Sequence, residues 1–188
     1  MTTAPTESSA AFPDAPRGRK GYERAAVDEF LLRARSAFEA SSDDPITAAD
    51  VRKAAFPLTR RGYSIEAVDA ALGRIEDAFA ARERHDAITT AGAGPWVGQA
   101  RETAQAILDR LARGRRRRFD RVSALRFGYR VDEVDIVADR ISRYLETGES
   151  LTPEQVRSVA FRMQRRGYRE AQVDAVLDAV IEVMLAVA

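Results

Sequence analysis

The chain has 188 residues, 45% of them apolar, so it can bury a real core, and its 30 basic against 29 acidic side chains set up no global field demanding a polyanionic partner. It has no cysteine and a single histidine, His85, which excludes disulfides, thiolate chemistry, cysteine-ligated zinc and an imidazole metal cluster, and fits a reducing cytoplasm. No uninterrupted apolar run approaches the roughly 20 residues that span a bilayer, and the opening "MTTAPTESSAAFPDAP" has neither a basic nor an apolar leader region, so a chain neither secreted nor membrane-spanning is expected.

Residues 1–16 are small, polar and proline-containing, and are read as a disordered tail. The phrase "GRKGYERAAVD" follows from residue 18, and the chain repeats it as "TRRGYSIEAVD" from 59, "LRFGYRVDEVD" from 125 and "QRRGYREAQVD" from 164. In all four copies an Asp lies seven positions after the Gly. The copies are centred on Gly21, Gly62, Gly128 and Gly167, and the offsets between first and third and between second and fourth are nearly equal, which marks a duplicated pair.

After each glycine the apolar spacing is helical. Leu31, Ala34 and Phe38 recur as Leu72, Ile75 and Phe79, as Ala138, Ile141 and Leu145, and as Leu177, Val180 and Met184, one face of a helix each time. Phe30, Ala71, Val137 and Val176 widen the stripe toward bundle packing. Copies two and four also share the stretch before the glycine, "ITAADVRKAAFPLTRRGY" on "LTPEQVRSVAFRMQRRGY", which places Val51 on Val156 and Phe56 on Phe161. Thr47 and Thr152 are predicted caps, with Pro153 at a first helical position, and Val51, Ala55 and Phe56 are expected on one short helical face.

Between the halves, "TTAGAGP" reads as a flexible opening and "WVGQARETAQAILDRLAR" as a helix with Trp96, Ala100, Ile107 and Leu111 on one side. The expected organisation is therefore a tail (1–16), repeats one and two (17–85), a linker with one amphipathic helix and a basic end (86–118), and repeats three and four (119–188). The fold class expected is all-α: tandem helix-turn-helix repeats packed as a helical bundle.

A glycine between two helical patterns is expected to close the first helix at positive φ and redirect the chain. Tyr22, Tyr63, Tyr129 and Tyr168 are expected to cover the turn with their rings and present the hydroxyl at the surface. Asp28, Asp69, Asp135 and Asp174 have two readings: pairing with a basic neighbour such as Arg61 or Arg166, or a solvated position near the positive end of the helix dipole. One recurrent carboxylate per copy is not an acid/base pair, and no catalytic constellation, cofactor loop or metal cluster is expected.

The pattern Thr47, Val51, Phe56, Arg61, Gly62, Tyr63, Val68, Asp69, seen again in Thr152, Val156, Phe161, Arg166, Gly167, Tyr168, Val173 and Asp174, resembles the N-terminal domain of DivIVA. The short copies match from the glycine onward, and the resemblance covers about two thirds of the chain. It implies a bacterial scaffold or adaptor that works with the cell-division, polar-growth or cell-wall machinery, cytoplasmic and peripheral to the inner face of the membrane at septum or pole, with homo-oligomers in the family. In the family the membrane is met by an exposed aromatic and a basic residue just before the glycine. The pairs here are Arg19-Lys20, Arg60-Arg61, Arg126-Phe127 and Arg165-Arg166, in which Phe127 is the one aromatic.

The run "RLARGRRRRFDR" concentrates positive charge, and Arg115, Arg116, Arg117 and Arg118, with Arg60, Arg61, Arg165 and Arg166, are the candidate contacts to an anionic surface. The alternative function is nucleic-acid association through Arg113–Arg118, with Phe119 stacking on a base.

Overall fold

In a computed structural model of the protein, which describes residues 11–39 and 46–187, every glycine phrase runs directly into a helix. The chain is predominantly helical, with seven helices and four three-residue strands among the described residues. It divides into two units, residues 1–83 and 84–188, and the same order of strands and helices recurs in both, preceded in the second by one further helix.

In the first unit, strand β1 (Lys20–Tyr22) leads into helix α1 (Arg24–Glu39), a short helix α2 (Ala48–Arg52), strand β2 (Leu58–Arg60) and helix α3 (Ile65–Ala91), whose last turns lie beyond the unit boundary. Thr47 caps α2 in a reciprocal box: its hydroxyl accepts from the backbone N–H of Asp50, and the Asp50 carboxylate accepts from the backbone N–H of Thr47. The helix ends at Arg52, so Ala55 and Phe56 lie outside it, contrary to expectation. The reason is strand pairing: β2 runs antiparallel to β1 with Lys20 opposite Arg60 and Tyr22 opposite Leu58, which needs extended backbone. The glycine phrase thus joins a strand to a helix, and the unit is helix-strand-helix.

The core of this unit gathers Val27, Ala34, Ala37, Val51, Tyr63, Val68, Leu72 and Phe79, all buried, at about 1.5–3 kcal/mol for each large apolar side chain. Phe56 packs edge-on to both Tyr22 and Phe30, with ring centroids 5.4 and 5.7 Å apart. Arg52 and Glu76 form an ion pair of 2.6 Å inside this core.

In the second unit, helix α4 (Ala93–Leu111) precedes strand β3 (Phe127–Tyr129), helix α5 (Val131–Thr147), short helix α6 (Pro153–Arg157), strand β4 (Met163–Arg165) and helix α7 (Glu170–Val187). Thr152 caps α6 with Gln155 completing the box and Pro153 in the first turn, as expected. Gly148 ends α5 at φ 72°, a left-handed position that a residue without Cβ fills without strain.

Two expectations are corrected. Residues 86–91 continue α3 and only Gly92, at φ 82°, separates it from α4, so "TTAGAGP" is helical on both sides of a single glycine break and not an extended opening. The helix of the expected linker is part of the second unit: Ala100, Ile107 and Leu111 are buried, and Trp96 donates its indole N–H to the Ala186 carbonyl at 3.1 Å. Trp96 thus meets the end of α7, while Leu111 lies beside Val173 near its start, so the two helices run antiparallel.

The expected disordered tail is also corrected over its described part; residues 1–10 lie outside the described residues. Phe12 packs edge-on to Tyr63 with centroids 5.4 Å apart, and the Ala15 N–H donates to the Gly62 carbonyl at 2.8 Å. The polar composition was outweighed by one aromatic ring and by a backbone edge needing a partner.

Candidate functional site

The repeated phrase is a reciprocal lock between two copies. Tyr22 donates its backbone N–H to the Tyr63 carbonyl at 3.0 Å, and Tyr63 donates back to Tyr22 at 2.9 Å. Tyr129 and Tyr168 exchange the same two bonds in the second unit, at 3.0 and 2.9 Å. Side chains repeat the exchange. The Tyr63 hydroxyl donates to Asp28 at 3.2 Å and Tyr22 to Asp69, while Tyr168 donates to Asp135 at 3.1 Å and Tyr129 to Asp174. Each motif acid therefore serves the tyrosine of the other copy, which replaces both readings made from sequence.

The glycines serve this approach and not positive φ. A Cβ on Gly21 would collide with the Tyr63 carbonyl oxygen, one on Gly62 with that of Tyr22, and Gly128 and Gly167 are blocked in the same way by Tyr168 and Gly128. None of the four has positive φ; within the motif copies the left-handed residues other than glycine are Arg61 at 58° and Arg166 at 56°, just before Gly62 and Gly167. The strain falls on the arginine because the glycine is spent on closeness.

Tyr63 and Tyr168 are buried, not surface tyrosines, and Tyr22 and Tyr129 are half-buried. Burial, and then the acceptor carboxylates, pushes all four phenols up, Tyr168 to about 12. Burial also raises Asp69 and Asp174, against the hydrogen bonds from Tyr22 and Tyr129. The arrangement is built to hold and orient, with each proton kept on its phenol.

Within the arginine run Arg118 is buried, while Arg115 and Arg116 are exposed and pair with carboxylates. Arg118 is only 7% exposed; it donates to the Asp135 carbonyl at 2.9 Å and to the Asp139 carboxylate at 2.5 Å. Arg115 pairs with Asp139, Arg116 pairs with Asp132 at 3.1 Å, and the Arg116 backbone N–H donates to Asp135 at 2.8 Å. Against the opposing effect of its own burial, the Arg115 and Arg118 guanidiniums hold Asp139 below the usual carboxylate value. Arg118 is thereby withdrawn as a surface contact, and Arg115 and Arg116 already face carboxylates. Phe119 is also buried, against Tyr168 with centroids 5.3 Å apart, so it is no stacking platform. Arg117 is exposed.

The exposed cations that remain from the motif sit at the two strand tips. Arg19, Lys20, Arg60 and Arg61 are exposed in the first unit, and Lys20 lies directly opposite Arg60, an unfavourable pairing in the absence of a nearby anion. In the second unit Arg126, Arg165 and Arg166 are exposed, as is Arg162, which pairs with Glu133 at 2.5 Å, and with them three apolar side chains: Leu125 at 89%, Phe127 at 54% and Met163 at 47% exposure. Phe127 opposes Arg165, whose guanidinium lies 5.8 Å from the ring centroid, so that wedge and cations share one tip.

No family model matches the chain, and no curated protein or solved structure matches it.

Leu125, Met163, Phe12 and the acids Asp132 and Asp139 were missed from sequence. One signal was present for the aromatic: the offset that places Gly21 on Gly128 also places Phe12 on Phe119. Leu125 belongs to no repeated apolar position and only its exposure singles it out, whereas Met163 aligns with Leu58, itself 51% exposed at the same strand position.

Proposed function

We propose that the chain is a non-catalytic, DivIVA-like scaffold or adaptor that contacts an anionic membrane surface through its strand tips and gathers proteins of the bacterial division or cell-wall machinery. The observation that carries this reading is the β3–β4 tip, where Leu125, Phe127 and Met163 stand exposed with Arg126, Arg165 and Arg166. Exposed apolar side chains ringed by arginine suit the boundary between headgroup and acyl chain: the apolar atoms leave water while each cation near an anionic surface adds about 1 kcal/mol. The cationic β1–β2 tip supplies a second contact, with Leu58 exposed at the position that Met163 holds in the second unit. The interlocked tyrosines support the reading by making each unit a rigid mount for its tip. The DivIVA resemblance supplies the division and cell-wall setting, at septum or pole.

The test is sedimentation with vesicles of anionic or zwitterionic lipid, paired with fluorescence localisation. Leu125→Ser with Phe127→Ser should weaken binding to anionic vesicles by about tenfold or more and disperse septal or polar foci. Binding unchanged by that pair, or a nucleoid signal in cells, would overturn the proposal.

A further inference from the structure

The two units differ in one respect that the duplication makes visible. In the second unit the face shared by α5 and α7 is covered by α4, and the residual void among Leu111, Phe119, Ile141, Val173 and Leu177 is only about 10 Å³. In the first unit the matching face between α1 and α3 is an open apolar groove of about 520 Å³, lined by Phe12, Leu31, Phe38, Ile75, Ala78 and Phe79. Aligned positions show the change directly. Ala138, Val180 and Val183 are buried in the second unit, whereas their counterparts Leu31 and Ile75 are half-buried and Ala78 is exposed. Phe38 is 43% exposed, which is costly for a ring this size beside other apolar groups.

We infer that this groove is the docking site for an amphipathic helix of a partner protein, with an apolar stripe spaced as in α4 and acidic residues flanking it. The second unit shows what the same helix pair accepts: a helix antiparallel to the third one, seated by Ala100, Ile107 and Leu111. The rim gives the sign of the flanks. Arg35 and Arg74 line the groove where the aligned positions of the second unit are Ser142 and Ala179, so the open groove carries cations that the covered one lacks. Glu39 lies on the same rim and pairs with Arg35 at 2.7 Å, so the excess positive charge of the rim is that of Arg74. A second copy of the chain is a poorer occupant, because its α4 is already seated on its own unit. The site lies on the helices and not on the strand tips, so it is independent of membrane contact.

The probe is a fluorescent peptide of residues 96–111 with Arg101→Glu and Arg110→Glu, titrated by anisotropy with the full chain in the absence of lipid. Saturable binding is expected. Ala78→Arg, at an exposed position that leaves the melt unchanged, should weaken it by about tenfold or more. A second peptide with Glu102→Lys and Asp109→Lys should bind about tenfold more weakly than the first, and Arg35→Glu with Arg74→Glu should reverse that preference. Three results would each overturn the inference: no saturable binding, equal affinity for the parent and Ala78→Arg, or self-association of the chain that Ala78→Arg abolishes, which would make a second copy the occupant.

Discussion

Tyr63 donates its hydroxyl to Asp28 at 3.2 Å across 35 residues of chain, and Tyr22 returns the bond to Asp69. This exchange explains why the phrase is written four times. A single copy has a phenol and a carboxylate that cannot reach each other, and two copies facing one another satisfy both. The pair is the folding unit, and the duplication of the pair gives the chain.

The Tyr168–Asp135 bond is the most enclosed of the four, with both side chains buried. Tyr168→Phe should cost about 1–3 kcal/mol in urea unfolding. Asp135→Asn should cost more, because the Asp135 carboxylate also accepts from the Arg116 backbone. A double-mutant cycle should return a coupling of at least about 0.5 kcal/mol; additive effects would show that the two side chains do not interact.

Alkali should unfold the protein in a defined window. A phenol ordinarily titrates near 10, and Tyr168 is pushed up to about 12, so between those values the unfolded chain has lost a proton that the folded chain retains. Stability is then full below about pH 10 and falls as the pH rises toward 12. Tyr168→Phe should flatten this slope in part, the remainder belonging to Tyr22, Tyr63 and Tyr129. Denaturant midpoints measured against pH test it.

Neighbouring residues in one turn should respond in opposite directions. Gly167→Ala drives a methyl into the backbone of Gly128 and Tyr129, and should cost about 3 kcal/mol or more. Arg166→Gly relieves a left-handed arginine and should be neutral or stabilising by up to about 1 kcal/mol. Thermal melts of the two variants decide between close approach and positive φ as the reason for the glycine.

Within the arginine run Arg118 should behave as structure. Arg118→Ala leaves Asp139 without its most buried partner and should cost about 3–5 kcal/mol, while Arg117→Ala should fall within about 0.5 kcal/mol of the parent. Urea titration of both variants is the check. Equal, small effects would return the run to the surface.

The Arg52–Glu76 pair is absent from the second unit, where Ile181 takes the place of Glu76. Glu76→Ile alone should therefore destabilise by about 3–5 kcal/mol by leaving Arg52 buried, and adding Arg52→Met should restore most of the loss. A double variant as unstable as the single one would show that the pair itself holds the core.

The sequence by itself determined the helices, the caps at Thr47 and Thr152 and the duplication, because those depend on spacing along one chain: three and four residues for a helix face, three for a capping box, and a constant offset for a repeat. It also marked the glycine, tyrosine and aspartate of each copy as belonging together. Only the tertiary structure decided what each was for. A close approach of two backbones, as at Gly21 and Gly62, leaves no periodic trace that separates it from a left-handed turn. A hydroxyl seeking an acceptor, as at Tyr63, does not say which of four equivalent carboxylates it will find. Arg118 looked like part of a charged surface because the acids that pair with it and with its exposed neighbours Arg115 and Arg116, namely Asp132, Asp135 and Asp139, lie one helix later, and Coulomb attraction depends on distance in space. The open groove beside Phe38 and its filled counterpart under α4 have nearly the same apolar stripes, so whether a stripe is covered is a property of the packing alone.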